Sequence, residues 1–86
     1  MADRLRKQFG AGLKSIRLQR KLTQEEFAEL LGISVDFLSL IERGINSPSF
    51  ETLEQISENL RVPLHVLFTF SDERTRPNKP VRRPRQ

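Results

Sequence analysis

The segment TQEEFAELLGISVDFLSLIERG (Thr23–Gly44) contains two short apolar-periodic runs separated by one glycine, Gly32. Each run has about eight residues, which is too short for a helix that is stable alone in water. Thr23 followed three residues later by Glu26 forms a capping box that begins the first helix, and Gly32 is placed to end it in a left-handed turn. Ser34 then caps the second helix. The expected core faces of the pair are Phe27, Leu30 and Leu31 in the first helix, and Leu38 and Ile41 in the second.

Apolar residues at helical spacing predict three more helices around this pair. The first covers about residues 4–21, with Asp3 as its N-cap and with a core face made of Leu5, Phe9, Leu13 and Ile16. Glycines at positions 10 and 12 weaken this helix, so we expect a neighbouring segment to pack closely against it. Ser49 caps the next helix, whose expected core face is Phe50, Leu53, Ile56 and Leu60. Pro63 is placed to start a short fifth helix, from residue 64 to about residue 68.

The composition bounds the chain to one small domain with a tail. Its 86 residues contain no cysteine, which excludes a disulfide framework and a cysteine-ligated metal site. The apolar stretches are far shorter than a membrane span, and no signal peptide opens the sequence, so we expect a soluble cytoplasmic protein. After Phe70 the composition shifts to Arg, Pro, Asn and Lys, with Val81 as the one apolar residue. We therefore predict an all-α, compact five-helix domain in residues 1–70 and a disordered basic tail in residues 71–86.

The charge is distributed unevenly along the chain. Residues 1–21 carry seven Lys and Arg against one Asp, a net charge of +6, and residues 22–70 carry two Arg against eight acids, a net charge of −6. Residues 71–86 add six Lys and Arg against two acids, a net charge of +4. Basic segments beside an acidic middle indicate an oriented molecule with a polyanion on one side. Solvated helix faces with a soluble tail would give the same distribution, so charge alone leaves both interpretations open.

The residues argue against an enzyme. His65 is the single histidine, cysteine is absent, and the carboxylates are scattered over predicted exposed faces. No acid–base pair, nucleophile or metal-ligand set can be drawn from them, and we expect no cofactor and no metal. The predicted helix pair instead matches a helix-turn-helix arrangement, which presents its second helix outward to a DNA major groove. An ordinary α-hairpin in a helical bundle has the same spacing.

Four segments carry a resemblance to a known family: LTQEEFAELLGIS, LSLIERG, SPSFETLEQI and LRVPLHVLF. In this order and spacing they resemble the Cro/phage-repressor-like (XRE-type) helix-turn-helix family over about residues 5–68. The resemblance implies a lambda-repressor-like five-helix domain, with the helix-turn-helix at about residues 24–43. It also implies a homodimer that regulates transcription from a two-fold symmetric site in double-stranded DNA. Three positions depart from the family pattern: glycine is frequent at Lys21 and Arg61, and a Ser cap is usual at Pro63.

The resemblance also implies roles for individual residues. Gln24 matches the family's phosphate-binding glutamine, and residues 43–47 match its backbone-gripping loop. The predicted phosphate contacts are Gln24, Ser34, Arg43, Asn46 and Ser47. A family Arg and Glu that form a partly buried ion pair match Arg17 and Glu42, which both lie at the margin of an apolar stripe. We therefore interpret Arg17 as structural, with a DNA contact as the alternative.

The outward side of the second helix supplies the predicted base-reading residues. On a helical wheel this side lies opposite Leu38 and Ile41 and contains or borders on Val35, Asp36, Phe37, Ser39 and Leu40. Apolar side chains there can meet thymine methyl groups. An alternative is that Val35 and Phe37 complete the core.

Apolar residues beyond the fourth helix predict self-association. One small core has little room for all of them, so we assign to a homodimer interface Leu64, Leu67, Phe68 and Phe70. A symmetric dimer predicts half-sites one helical turn apart, roughly 34 Å. Two other functions stay open at this point: an antitoxin or bridging protein-interaction module with the same fold, and a nonspecific nucleic-acid binder that works through the basic tail.

Overall fold

The computed structural model describes residues 2–69, and all regular secondary structure in that range is helical. The helices are α1 (Ala2–Gln19), α2 (Gln24–Leu31), α3 (Val35–Glu42), α4 (Phe50–Leu60) and α5 (Leu64–Leu67). The predicted all-α, five-helix fold is therefore confirmed. The predictions for Phe70 and for the tail, residues 71–86, lie outside the described residues.

The predicted caps form where the sequence places them. The Oγ1 atom of Thr23 accepts a hydrogen bond from the Glu26 N–H at 3.0 Å, and the Thr23 N–H donates to Glu26 Oε1 at 2.9 Å. Gly32 ends α2 in the left-handed conformation, with φ at 79°. Ser34 and Ser49 cap α3 and α4 by accepting from the backbone N–H three residues ahead. Local chemistry thus fixes the start of three helices and the sharp turn between α2 and α3.

Helix α1 differs from its predicted bounds at both ends. It begins at Ala2, so Asp3 lies inside the helix and the predicted cap at Asp3 is wrong. It ends at Gln19 rather than residue 21, because Lys21 has φ at 59° and the backbone leaves the right-handed helical region there. The close neighbour predicted by Gly10 is present: a Cβ atom on Gly10 would overlap the carbonyl oxygen of Ile41. Helix α1 therefore packs with its backbone directly against the end of α3.

The core is formed by the facing sides of all five helices. Its buried apolar members are Phe9, Leu13, Phe27, Ala28, Leu31, Leu38, Ile41, Leu53, Ile56, Leu60 and Leu67. Three residues predicted to be in the core are exposed instead, namely Leu5, Leu30 and Phe50. Phe50 is the most exposed of these, at 86%. It is the first residue of α4 and lies six residues before Ile56, about 120° away around the helix axis, so its ring points away from the core.

Candidate nucleic-acid interface

The outward side of α3 is the surface that the helix pair presents. Leu38 and Ile41 are fully buried, and Asp36, one of the residues on the opposite side, is exposed. Ser39 and Leu40 are half-buried. The side of α3 predicted to face a partner is therefore at least partly accessible, while the other side holds the helix in the core.

Val35 and Phe37 lie between these two sides. Both are half-buried and pack against the core. Part of each side chain thus fills the edge of the core and part stays accessible, so their contact with bases stays a prediction. Only the accessible part is left for contact with a partner.

A buried ion pair joins α1 to α3. The Arg17 Nε–H donates to Glu42 Oε2 at 2.8 Å, and Nη2 of the same guanidinium donates to Glu42 Oε1 at 3.0 Å. Its Nη1 donates to the carbonyl oxygen of Leu22 at 3.1 Å, which also ties down the α1–α2 turn. The hydrogen bonds to Glu42 raise the pKa of Arg17 above its usual value, and burial only partly opposes that shift. Arg17 is therefore held charged inside the domain by three hydrogen bonds.

The same ion pair holds the side chain of Gln24. The Gln24 Nε2 amide donates to Glu42 Oε1 at 3.0 Å, so one carboxylate oxygen accepts from both Arg17 and Gln24. Gln24 is the first residue of α2 and is half-buried. A primary amide has two N–H groups, so the second remains for another acceptor. The sequence predicted the Arg17–Glu42 pairing from the resemblance, but it did not predict that Gln24 joins it.

The other predicted phosphate contacts lie at the two ends of α3. Ser34, at its start, uses its hydroxyl oxygen as the helix cap and keeps its O–H as a donor. Arg43, Asn46 and Ser47, at its end, are exposed. The Asn46 N–H donates to the carbonyl oxygen of Leu40 at 3.3 Å, which folds the loop back onto the helix. Both ends of α3 therefore offer accessible hydrogen-bond donors.

Two amides on α4 clamp the turn between α2 and α3. Gln55 Nε2 donates to the carbonyl oxygens of Leu31 and Gly32 at 2.8 and 3.1 Å, and Asn59 Nδ2 donates to the Leu31 oxygen at 3.1 Å. The turn thereby gains partners for carbonyl groups that the end of α2 leaves unpaired. Neither residue is predicted from the sequence. Their signal is the spacing of four, which places two amides on one side of a helix.

The predicted self-association residues do not all reach the surface. Leu67 is only 4% exposed and belongs to the core, so its assignment to the interface is wrong. Helix α5 packs against α1 and α4, and a single turn can direct only one side inward. Leu64 and Phe68 stay exposed, and the Phe68 ring stacks on Phe9 with ring centroids 5.1 Å apart.

Residues 2–69 contain no group of three or more His, Cys, Asp or Glu side chains arranged to hold a metal ion. Within the same range, each helix is too short or too polar to cross a membrane.

Comparison with known proteins places this geometry among related chains. A family model described as helix-turn-helix matches residues 13–67. The chain is 37% identical over 59 residues to an uncharacterised HTH-type transcriptional regulator of Mycobacterium tuberculosis, covering 69% of this chain and 42% of the relative. It is 31% identical over 64 residues to the cryptic phage CTXphi transcriptional repressor RstR of Vibrio cholerae, covering 74% of this chain and 58% of the relative. The chain thus spans less than two thirds of the length of both relatives.

A solved structure extends the similarity to the backbone. The fold matches the crystal structure of the restriction-modification controller protein C.AhdI from Aeromonas hydrophila with a TM-score of 0.69 at 25% identity. The match covers 76% of this chain and 94% of that one.

Proposed function

The chain belongs to the helix-turn-helix family, and from that premise we propose that it is a sequence-specific DNA-binding transcriptional regulator. The observation that carries this proposal is the accessible side of α3, which is held at a fixed angle by the Gly32 turn and its α4 clamp. A major groove is wide enough to admit an α-helix, and each base pair shows a distinct donor and acceptor pattern there. Relatives named as transcriptional regulators and as a phage repressor support the same function.

In this proposal α3 reads bases. Asp36 accepts a hydrogen bond from a cytosine amino group, and Ser39 donates to or accepts from a base edge. The accessible parts of the apolar side chains meet thymine methyl groups; these residues are Val35, Phe37 and Leu40. The carboxylate of Asp36 also repels phosphates, so it contributes to specificity partly by rejecting wrong sites.

The phosphate contacts position α3 over the bases. The second amide hydrogen of Gln24 donates to a phosphate oxygen, and its first stays on Glu42, which fixes the direction of the amide. Ser34 and the loop residues Arg43, Asn46 and Ser47 make the remaining contacts. Arg17 stays structural, because three of its hydrogen bonds are made within the domain.

We further propose a homodimer on a pseudo-palindromic operator, with half-sites about one helical turn apart, roughly 34 Å. The support is the family resemblance, which implies a dimer, and two exposed apolar residues, Leu64 at the start of α5 and Phe68 just after its end. Residues 71–86, with a net charge of +4, add affinity without specificity by neutralising phosphates. A regulator of this kind acts in the cytoplasm, at the nucleoid.

The experiment that tests the function is a selection of bound sequences from random duplex DNA. The expected result is enrichment of one pseudo-palindromic sequence, which the protein then binds more tightly than a scrambled duplex at one fixed salt concentration. Equal affinity for the selected and scrambled duplexes would contradict sequence-specific binding. Specific capture of a protein partner in the absence of DNA binding would instead favour the interaction-module alternative.

A further inference from the structure

The domain leaves a group of apolar side chains wholly or partly exposed around the start of α4. We call it the Phe50 face, and it consists of Leu5, Pro48, Phe50, Leu64 and Phe68. These residues come from α1, the α3–α4 loop, α4 and the α5 region, and they line two adjoining grooves. Exposed apolar side chains that adjoin one another, rather than lying singly, indicate a candidate interaction surface.

The shape of this face combines a projection with hollows. The Phe50 ring is 86% exposed and stands between the two grooves. One groove has a volume of about 490 Å³ and runs past Leu64 and Phe68. The other has a volume of about 220 Å³ and runs past Leu5 and Pro48. For comparison, a cavity of about 150 Å³ is enough to hold benzene, so either groove has room for a phenyl ring.

A projection and a matching hollow on the same face are what an isologous two-fold interface requires, because each copy then supplies both parts. We propose that the Phe50 face is the interface between two copies of this chain, with the Phe50 ring of each copy inserted into a groove of the other. This inference rests on the homodimer of the proposed function and names the residues that build it. It moves the centre of the interface from α5, where the sequence analysis placed it, to the first residue of α4.

The position of the face fits a dimer that binds DNA. Ser47 and Pro48 belong to the α3–α4 loop and also line the smaller groove. The face therefore borders the loop to which phosphate contacts are assigned. A two-fold axis beside this loop keeps the two copies of α3 near each other, and an operator with half-sites one helical turn apart requires that proximity.

The charges on the rim suit the same arrangement. Glu51 and Glu54 line the larger groove on its α4 side, and Arg6 lines the smaller groove on the α1 side. A two-fold axis that runs between these sides brings the carboxylates of one copy towards the arginine of the other. Rim charges of this kind act mainly on orientation and on the rate of association.

The Phe50 ring contributes a large share of the area that such an interface needs. A fully covered phenylalanine buries about 150–250 Å², and a standard interface buries about 800 Å² on each partner. Phe50 alone thus supplies roughly a fifth or more of one side.

The test replaces the projecting ring by a charge. Phe50→Asp should fold like the wild type, because the ring is exposed in the free domain, and its thermal melting checks this. Burial of one ring is worth about tenfold or more in affinity, and a symmetric interface contains it twice. Sedimentation equilibrium without DNA should therefore show a dimer dissociation constant at least about 100-fold higher. Leu18→Asp is the matched control: Leu18 is 56% exposed on α1 and lines neither groove, so its dimer should be unchanged.

DNA binding provides the second measurement. Phe50→Asp should bind a single half-site like the wild type and lose cooperative binding to the full site. The proposal is overturned if Phe50→Asp dimerises like the wild type, or if the wild type stays monomeric at high concentration and binds full sites without cooperativity. It is also overturned if a wild-type monomer dimerises only after removal of residues 71–86, since the tail would then be the occupant of the face. Failure of the proposed function appears separately, as absent sequence preference at a half-site.

Discussion

Two regions of the domain reverse the usual distribution of polar and apolar groups, in opposite directions. Between α1 and α3, the charged side chains of Arg17 and Glu42 are buried, and at the start of α4 the ring of Phe50 is exposed. In the first region each charged group finds hydrogen-bond partners within the same chain. In the second, no other residue of the described chain covers the ring. The first region is thus complete in one copy, whereas the second is covered only in the dimer that we propose.

Removal of one partner of the buried ion pair should lower the stability of the domain strongly. Arg17→Ala leaves the Glu42 carboxylate buried without its partner, and such a loss costs about 3–5 kcal/mol. Since 1 kcal/mol shifts the melting temperature of a domain this small by about 4–8 °C, calorimetry or circular dichroism should show a fall of at least about 10 °C. The sequence preference of the folded fraction should stay the same.

Two controls accompany that measurement. Lys14→Ala, at an exposed position of the same helix, should melt within a few degrees of the wild type. The double replacement of Arg17 by Met and Glu42 by Leu should recover part of the lost stability, because it leaves no unpaired charge. An Arg17→Ala variant that melts like the wild type but no longer binds DNA would mean that Arg17 contacts DNA.

A second pair of variants distinguishes the proposed phosphate contact of the Gln24 amide from base reading by the exposed side of α3. Asp36→Ala should reduce the discrimination between the selected operator and a scrambled duplex by about 1–3 kcal/mol, while nonspecific affinity holds or rises. Gln24→Ala should weaken both duplexes about equally, because phosphate contacts carry no sequence information. Fluorescence anisotropy with both duplexes at one salt concentration measures the two effects.

Glu58→Ala, an exposed acid on α4, is the matched control for the loss of a negative charge, and its discrimination should equal that of the wild type. If Gln24→Ala changes the discrimination and Asp36→Ala does not, the division of roles between α2 and α3 is wrong.

A smaller change in the free energy of unfolding is expected from two strained backbone positions outside both regions. Lys21 and Arg61 both have φ at 59°, a left-handed conformation that favours glycine, and glycine is frequent at these positions in the family. Arg61→Gly should therefore raise the free energy of unfolding by about 0.5–1 kcal/mol, the relief of strain being partly offset by a more flexible unfolded chain. Chemical denaturation can resolve this gain. Lys14→Gly, in a right-handed helical position, should lower the same free energy by a similar amount, and an equal loss in both variants would exclude relief of strain.

The sequence predicted best the helix caps and turns, which depend on residues close together along the chain. The cap at Thr23, the turn at Gly32 and the caps at Ser34 and Ser49 each depend on groups within about four residues, so the local pattern was sufficient. The Arg17–Glu42 pairing spans 25 residues. Periodicity could place these two residues only at the margins of their stripes, and the family resemblance supplied the contact.

What the sequence missed depends on how the helices are placed against each other. Helical spacing predicted a buried Phe50, and the number of apolar residues beyond α4 predicted an exposed Leu67. Both predictions are wrong, because neither signal says where the neighbouring helices lie. The hydrogen bond from Gln24 to Glu42 and the clamp from Gln55 and Asn59 were missed for the same reason. Polar residues on adjacent helices give no pairing signal until the packing is known.

The α4 clamp also has a consequence for which operators a dimer tolerates. Helix α4 carries Phe50 at one end, and nearer its other end it carries the amides that hold the turn before α3. In a dimer joined at Phe50, this 11-residue helix, roughly 16 Å long, is a rigid connection that sets the distance from the two-fold axis to each copy of α3. One base pair inserted between half-sites rotates one of them by about 35° around the DNA axis. A dimer with a rigid α4 connection cannot turn its α3 helices to follow that rotation. The length of α4, a helix that contacts no base, then sets the half-site spacing that the dimer tolerates.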